Sequence, residues 1–166
     1  MSPELLDALL ALKHTPRRGW QRAGLADPES VASHSYGMAL LGLALCPPGL
    51  DRARVLALCL LHDLPEALVG DITPHDGIDR EEKIRRERIA AARLLGGQPE
   101  LWGLWEDYEQ DRSAEAHFVH ALDKLDMGLQ ALRYAREQGL DTAEFVDSAR
   151  RGIQDAGLRA LLDRPA

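Results

Sequence analysis

The sequence predicts an all-α fold, on three observations. Aromatic residues make up only 5% of the 166, so a core must be built mainly from Leu and Ala, which suit helices better than strands. No segment of useful length alternates apolar and polar residues as a half-buried strand does. Cap residues followed by Pro or acidic side chains recur at the head of apolar segments, which is the signature of a helix start.

Each element can be justified in order. Ser2 caps a first helix with Pro3 in its first turn, and Leu5, Leu6, Leu9, Leu10 and Leu12 give it an apolar stripe. Thr15 to Gly24, rich in Pro, Gly and Arg, reads as a loop. Asp27-Pro28-Glu29-Ser30 is expected to open a second helix, buried along Val31, Met38, Leu41 and Leu45, with His34 on much the same face; Pro47-Pro48-Gly49 ends it. Asp51 caps a third helix running to about Asp63, apolar around nearly its whole circumference and therefore central. Glu66 to Val69 is a short turn closed by Gly70. Asp79 opens a charged helix to Gly96, whose Arg85, Arg86 and Arg88 pair with acidic neighbours on an exposed face. Leu101 to Tyr108 forms a short amphipathic helix whose aromatics pack. Ser113 caps the longest helix, to about Gln138, and helices over 141–162 close the chain. The expectation is one domain over 1–166.

Composition bounds the function. A net charge of −7 excludes a long nucleic acid as partner, since phosphate neutralisation needs a basic face; it leaves room for a nucleotide. Cys46 and Cys59 have no zinc-like spacing and read as two reduced, packed thiols. Glu4 and Asp7 interrupt the only N-terminal apolar run, and no run of ~18 apolar residues exists. The expected protein is soluble, cytoplasmic and off the membrane.

The chemistry concentrates at His62-Asp63-Leu64-Pro65-Glu66, with Asp71 close behind. His62 and Asp63 end a buried helix, where an unpartnered carboxylate is costly. Neighbouring helical residues point ~100° apart, so a metal site needs further ligands from other helices. His34 and an Asp of the long helix are available, and two imidazoles with two carboxylates suit a divalent ion with positions left for water and substrate. The long helix offers both Asp123 and Asp126. Its apolar stripe leans to Asp126.

The order His … His-Asp … Asp resembles the HD-domain metal-dependent phosphohydrolases. Longer stretches look like their 5'-deoxynucleotidase branch: Thr15-Pro16-Arg17-Arg18-Gly19-Trp20, Pro28-Glu29-Ser30-Val31 to His34, His62 to Glu66, Val69-Gly70-Asp71-Ile72-Thr73-Pro74, Glu81-Glu82-Lys83, Ser113 to Ala116 and Leu122-Asp123-Lys124. The likeness runs over about 9–135. It implies a single HD-domain helical bundle that hydrolyses deoxyribonucleoside 5'-monophosphates and forms homodimers. It implies His34, His62, Asp63 and Asp123 as metal ligands, selecting Asp123 over Asp126, whose loss is then expected to matter little. Co2+ or Mn2+ is the favoured ion, ahead of Mg2+, Fe2+, Ni2+ or Zn2+. Glu66 and Asp71 are implied to act on the substrate or a second metal, and Arg17 or Arg18 to meet the phosphate.

Trp20 adds an expectation about the sugar. An indole beside that arginine offers a ribose 2'-hydroxyl no acceptor, so deoxyribonucleotides should be preferred. No base-reading group is visible, so all four should be cleaved. The alternatives are a di-iron oxygenase on the same scaffold, betrayed by a coloured, iron-rich preparation, and a non-catalytic metal- or nucleotide-binding module, excluded by any turnover.

Overall fold

The computed structural model describes residues 2–163. These form helices α1 (Pro3–Ala11), α2 (Arg18–Arg22), α3 (Val31–Leu45), α4 (Arg52–Leu61), α5 (Glu66–Val69), α6 (Arg80–Leu95), α7 (Pro99–Glu109), α8 (Ala114–Gln138), α9 (Ala143–Gly152) and α10 (Ala156–Arg159), then a 3-10 turn, Ala160–Asp163. Among the described residues no strand forms, and no helix is long and apolar enough to cross a membrane.

The capping residues act as expected. Ser2, Asp51, Asp79 and Ser113 each accept a backbone N–H from the first turn of the helix they open. Two boundaries differ. Arg18–Arg22 is helical rather than loop. The second long helix begins at Val31, three residues after Pro28, and its cap is Ser30, whose Oγ accepts from Ser33. The reason is a long-range pairing: Arg17 N–H donates to Glu29 O and Val31 N–H to Thr15 O, at 3.0 and 2.9 Å. Residues 28–30 are thus spent on an extended contact with 15–17. That contact straps Arg17 to the N-terminus of α3.

The core lies between α3, α4, α7, α8 and α9, around Met38, Val55, Leu58, Cys59, Leu122, Leu125 and Ile153. Removing one such Leu side chain costs about 2–5 kcal/mol. A second cluster packs α1 against α6 and α7 through Leu5, Leu94, Leu95 and Trp105. Gly42 is what brings α3 close. A Cβ there would meet Val55 Cγ1 at 3.1 Å and Leu122 Cδ1 at 3.5 Å, so a larger residue would push α3 away from α4 and α8, the helices that carry the rest of the site.

Candidate metal centre and substrate cleft

His34 comes from the first turns of α3, His62 and Asp63 from the end of α4, and Asp123 from the middle of α8. Packing converges them. His34 Nε2 lies 3.2 Å from Asp123 Oδ1 and 4.0 Å from Asp63 Oδ2, and His62 Nε2 lies 3.0 Å from Asp63 Oδ2. Both histidines are buried.

The tautomers follow from the partners. His62 Nδ1 is 2.9 Å from Cys59 O, and His34 Nδ1 is 2.7 Å from Asp126 Oδ2. A carbonyl and a carboxylate oxygen accept here, so both Nδ1 atoms carry hydrogen, and Nε2 is the nitrogen that each ring can present to a cation. Those two Nε2 atoms are buried without a hydrogen-bond partner among the described residues. Spare nitrogens facing acidic oxygens across so short a gap fit a divalent cation. Asp126 is therefore not idle: it fixes the tautomer and orientation of His34. Gly37 makes that contact, since a Cβ there would run into the Asp126 carboxylate.

The cage attracts positive charge. Burial and Arg17 oppose a proton on His34, yet the carboxylates of Asp123 and Asp126 outweigh them and raise its pKa to about 9. Burial likewise disfavours charge on Asp63 and Asp123, but the histidines with Arg17, and Lys124 for Asp123, hold both carboxyls below the usual range.

The two arginines of the loop have different environments. The Arg17 side chain is 15% exposed and points inward, with Nη1 3.5 Å from Asp63 and 3.9 Å from Asp71. Burial works against its charge, and the surrounding carboxylates more than compensate. Arg18 is 56% exposed and pairs with Asp76 at 3.3 Å. Asp71 holds the loop itself: its Oδ2 accepts the Arg18 backbone N–H at 2.7 Å. Glu66 is buried, and its Oε2 has no partner. Burial, with Asp63 and Asp71 nearby, pushes its carboxyl well above the usual range. Pro65 does interrupt α4, yet the turn returns Glu66 to the same cleft.

The cleft encloses about 480 Å³ and is lined by Arg17, Trp20, Asp63, Glu66, Asp71 and Asp123 among others. Trp20 is only 2% exposed. Its Nε1 donates to Glu29, and its ring lies 4.4 Å from that of Phe145 and 5.3 Å from that of Tyr134. It backs the cleft wall and is held there by packing.

The sequence reading missed several lining residues. Lys83 and Lys124 lie inside the family-like motifs with no role visible in the sequence, and Tyr108, which reads as a packing residue, places its ring 5.2 Å from that of His62. Phe145, Ser148 and Arg151 come from α9, where no motif was seen. Their i, i+3, i+6 spacing was present in the sequence, but nothing local says that this face of α9 meets a cleft.

An all-helical bundle closing on a His-Asp cage beside a cleft of mixed charge defines a class. The HD domain family model matches residues 9–160, and the chain belongs to this family. It is 45% identical over 128 residues to 5'-deoxynucleotidase HDDC2 of Bos taurus, covering 74% of this chain and 62% of that protein. The chain thus spans less than two thirds of that relative. It is 38% identical over 157 residues to 5'-deoxynucleotidase HDDC2 of Dictyostelium discoideum, covering 84% of this chain and 83% of the other. Among solved structures, a predicted metal-dependent phosphohydrolase from Magnetospirillum magnetotacticum superposes with a TM-score of 0.75 at 29% identity, covering 96% of this chain and 90% of that one.

Proposed function

We propose that this chain is a metal-dependent 5'-deoxynucleotidase, a single HD domain that hydrolyses deoxyribonucleoside 5'-monophosphates to deoxyribonucleoside and phosphate. The observation that carries the reading is the pair of buried, unpartnered Nε2 atoms facing Asp63 and Asp123, with Arg17 and Glu66 alongside. The names of the bovine and slime-mould relatives support the same substrate class.

His34, His62, Asp63 and Asp123 would hold the ion, with Co2+ or Mn2+ favoured. A bound divalent ion supplies Lewis acidity toward a phosphate oxygen and makes bound water more acidic. The protein's own groups do the rest. Arg17, kept charged by the acidic wall, binds the phosphoryl oxygens and offsets charge that gathers on them. Asp71 anchors the Arg17–Arg18 backbone so that the guanidinium stays aimed inward. Glu66 is the general acid: its raised pKa keeps a proton available for the departing 5' oxygen. Arg18 stays outside and caps the loop through Asp76. Trp20, in the cleft wall three residues on from Arg17, would lie beside the sugar and offers a 2'-hydroxyl no acceptor.

The test is metal-stripped protein reloaded with Co2+, Mn2+, Mg2+, Fe2+, Ni2+ or Zn2+ singly, with phosphate release measured on deoxy- and ribonucleoside mono- and triphosphates. All four deoxynucleoside monophosphates should be cleaved. Ribonucleotides should be roughly ten- to a hundredfold poorer, the cost of burying one unpaired hydroxyl. Equal rates on dAMP and AMP would sink the deoxy claim. Glu66→Gln should keep its metal and lose about 10²–10⁴-fold in turnover; unchanged turnover removes it as the acid.

Two copies are proposed to pair through α3 and α4. Tyr36, Leu40 and Leu43 share one face of α3 and are 47–64% exposed, beside Leu60 of α4 at 55%. Light scattering should report a dimer that Leu40→Glu with Leu43→Glu converts to a monomer. The free thiols Cys46 and Cys59 fit a reducing, cytoplasmic setting.

A further inference from the structure

We propose that the outer end of the cleft is a nucleobase subsite and that Phe145 of α9 is its stacking residue; this rests on the nucleotidase reading above and deepens it. The two ends of the cleft are chemically unlike. The inner end is the cation cage with Arg17. Trp20 follows one helical turn along α2, and the Phe145 ring lies 4.4 Å beyond the indole. A phosphate held by Arg17 and a sugar beside Trp20 therefore direct the third part of a nucleotide toward α9. A cleft of about 480 Å³ lies in the range that accepts a whole small ligand, roughly 300–1,000 Å³.

The outer wall has the chemistry a base requires. Phe145, Ser148 and Arg151 lie on one face of α9 and all line the cleft. They offer a partly exposed aromatic ring, a hydroxyl, and a guanidinium that makes no ion pair among the described residues. Arg22 of α2 reaches over the same ring, 5.7 Å from its centroid, and pairs with Glu144, which ties α2 to α9 across this end. A flat aromatic surface at this end suits a purine or pyrimidine better than a phosphate. Stacking accepts any base because every base has a π-face, in line with the expectation that all four monophosphates are cleaved.

The wall is also rigid. A Cβ at Gly128 would meet Ala149 at 2.8 Å, and one at Gly152 would meet Lys124 at 2.9 Å, so α9 lies tightly against α8. Thr142 Oγ1 donates to Ala131 O at 2.9 Å and fixes its start. Pre-organised aromatic surface loses little freedom when a ligand stacks on it.

The experiment compares dAMP and dTMP with 2-deoxyribose 5-phosphate, which has the same phosphate and sugar but no base, on the metal-loaded wild type and on Phe145→Ala, Phe145→Leu and Phe145→Tyr. Calorimetry with deoxyadenosine runs alongside. Wild type should show a KM for the base-free substrate roughly tenfold above that for dAMP. Phe145→Ala should raise the dAMP and dTMP KM by about the same factor with kcat little changed, and leave the base-free substrate unaffected. Phe145→Leu, which still covers Trp20, should behave like Phe145→Ala, and Phe145→Tyr should restore the wild-type pattern. Equal losses on nucleotides and on the base-free substrate would reduce Phe145 to a packing residue and overturn the subsite. If no monophosphate is cleaved, the nucleotidase reading fails by itself, and calorimetry still decides: deoxyadenosine binding that Phe145→Leu abolishes upholds the subsite, while a wild type that does not bind it overturns it.

Discussion

His34 stands between two acidic groups that differ in what their donor atoms already do. On its Nε2 side are His62, Asp63 and Asp123; on its Nδ1 side are Glu29 and Asp126. His34, His62 and Asp123 offer ligand atoms within 4.8 Å of one another, and so do Glu29, His34 and Asp126. Distance does not separate them; satisfaction does. On the Nδ1 side Asp126 accepts from His34 and Glu29 accepts from Trp20. On the Nε2 side two buried nitrogens have no hydrogen-bond partner. The unpartnered nitrogens mark the proposed cation side, and the satisfied group is the frame that aims His34 toward it. Residue types at metal-like spacing overcount sites, because each carboxylate has to be followed to its existing partner.

The comparison breaks most sharply at the donors. His62→Ala or Asp123→Asn should cost more in metal content and activity than the roughly 10–100-fold typical of outer partners. Metal analysis on the purified variants checks this, and an Asp123→Asn protein that keeps its metal would reverse the assignment of the two sides. Asp126→Asn comes next. Its amide holds His34 less firmly and carries no charge, so metal affinity should fall by about 10–100-fold with the bound ion still catalytic.

A smaller effect separates the sides by pH. In metal-free protein His34 takes up a proton with a pKa of about 9, and a metal must displace it from Nε2. Apparent affinity should therefore rise about tenfold per pH unit and level off above about pH 9. Asp126→Asn removes one of the charges that raise this pKa, so its plateau should begin at lower pH. A competition titration between pH 7 and 10 tests both; a flat profile in wild type would deny the proton. The smallest effect belongs to Glu29→Gln. Its remaining oxygen still accepts from Trp20, so metal content and affinity should be unchanged, and any loss of metal would make the Nδ1 side a ligand group after all.

How far the site could be read from the chain depends on where the information lies. His62, Asp63, Glu66 and Asp71 fall within ten residues and were legible as a cluster. Periodicity leans to Asp126 over Asp123 without settling the choice, because both lie near the inward side of α8 and only contact with α3 distinguishes them: one meets His34 Nε2, the other Nδ1. Arg17 and Arg18 are adjacent in sequence and opposite in environment, and the partner that separates them, Asp71, is more than fifty residues away.

By itself the sequence determined the helical class, most helix ends and where the candidate His62-Asp63 dipeptide falls, because caps, Pro, Gly and apolar spacing act within one or two turns of chain. It misjudged the start of α3, where Glu29 and Ser30 obey a pairing with Thr15 and Arg17 rather than the local Asp-Pro signal. Tertiary structure alone decided which histidine nitrogens are spare, which arginine points inward, and that α9 walls the cleft. Those outcomes depend on close approaches at Gly37, Gly42, Gly128 and Gly152. A glycine's role there is set by the atom it lets in, and that atom comes from a distant part of the chain.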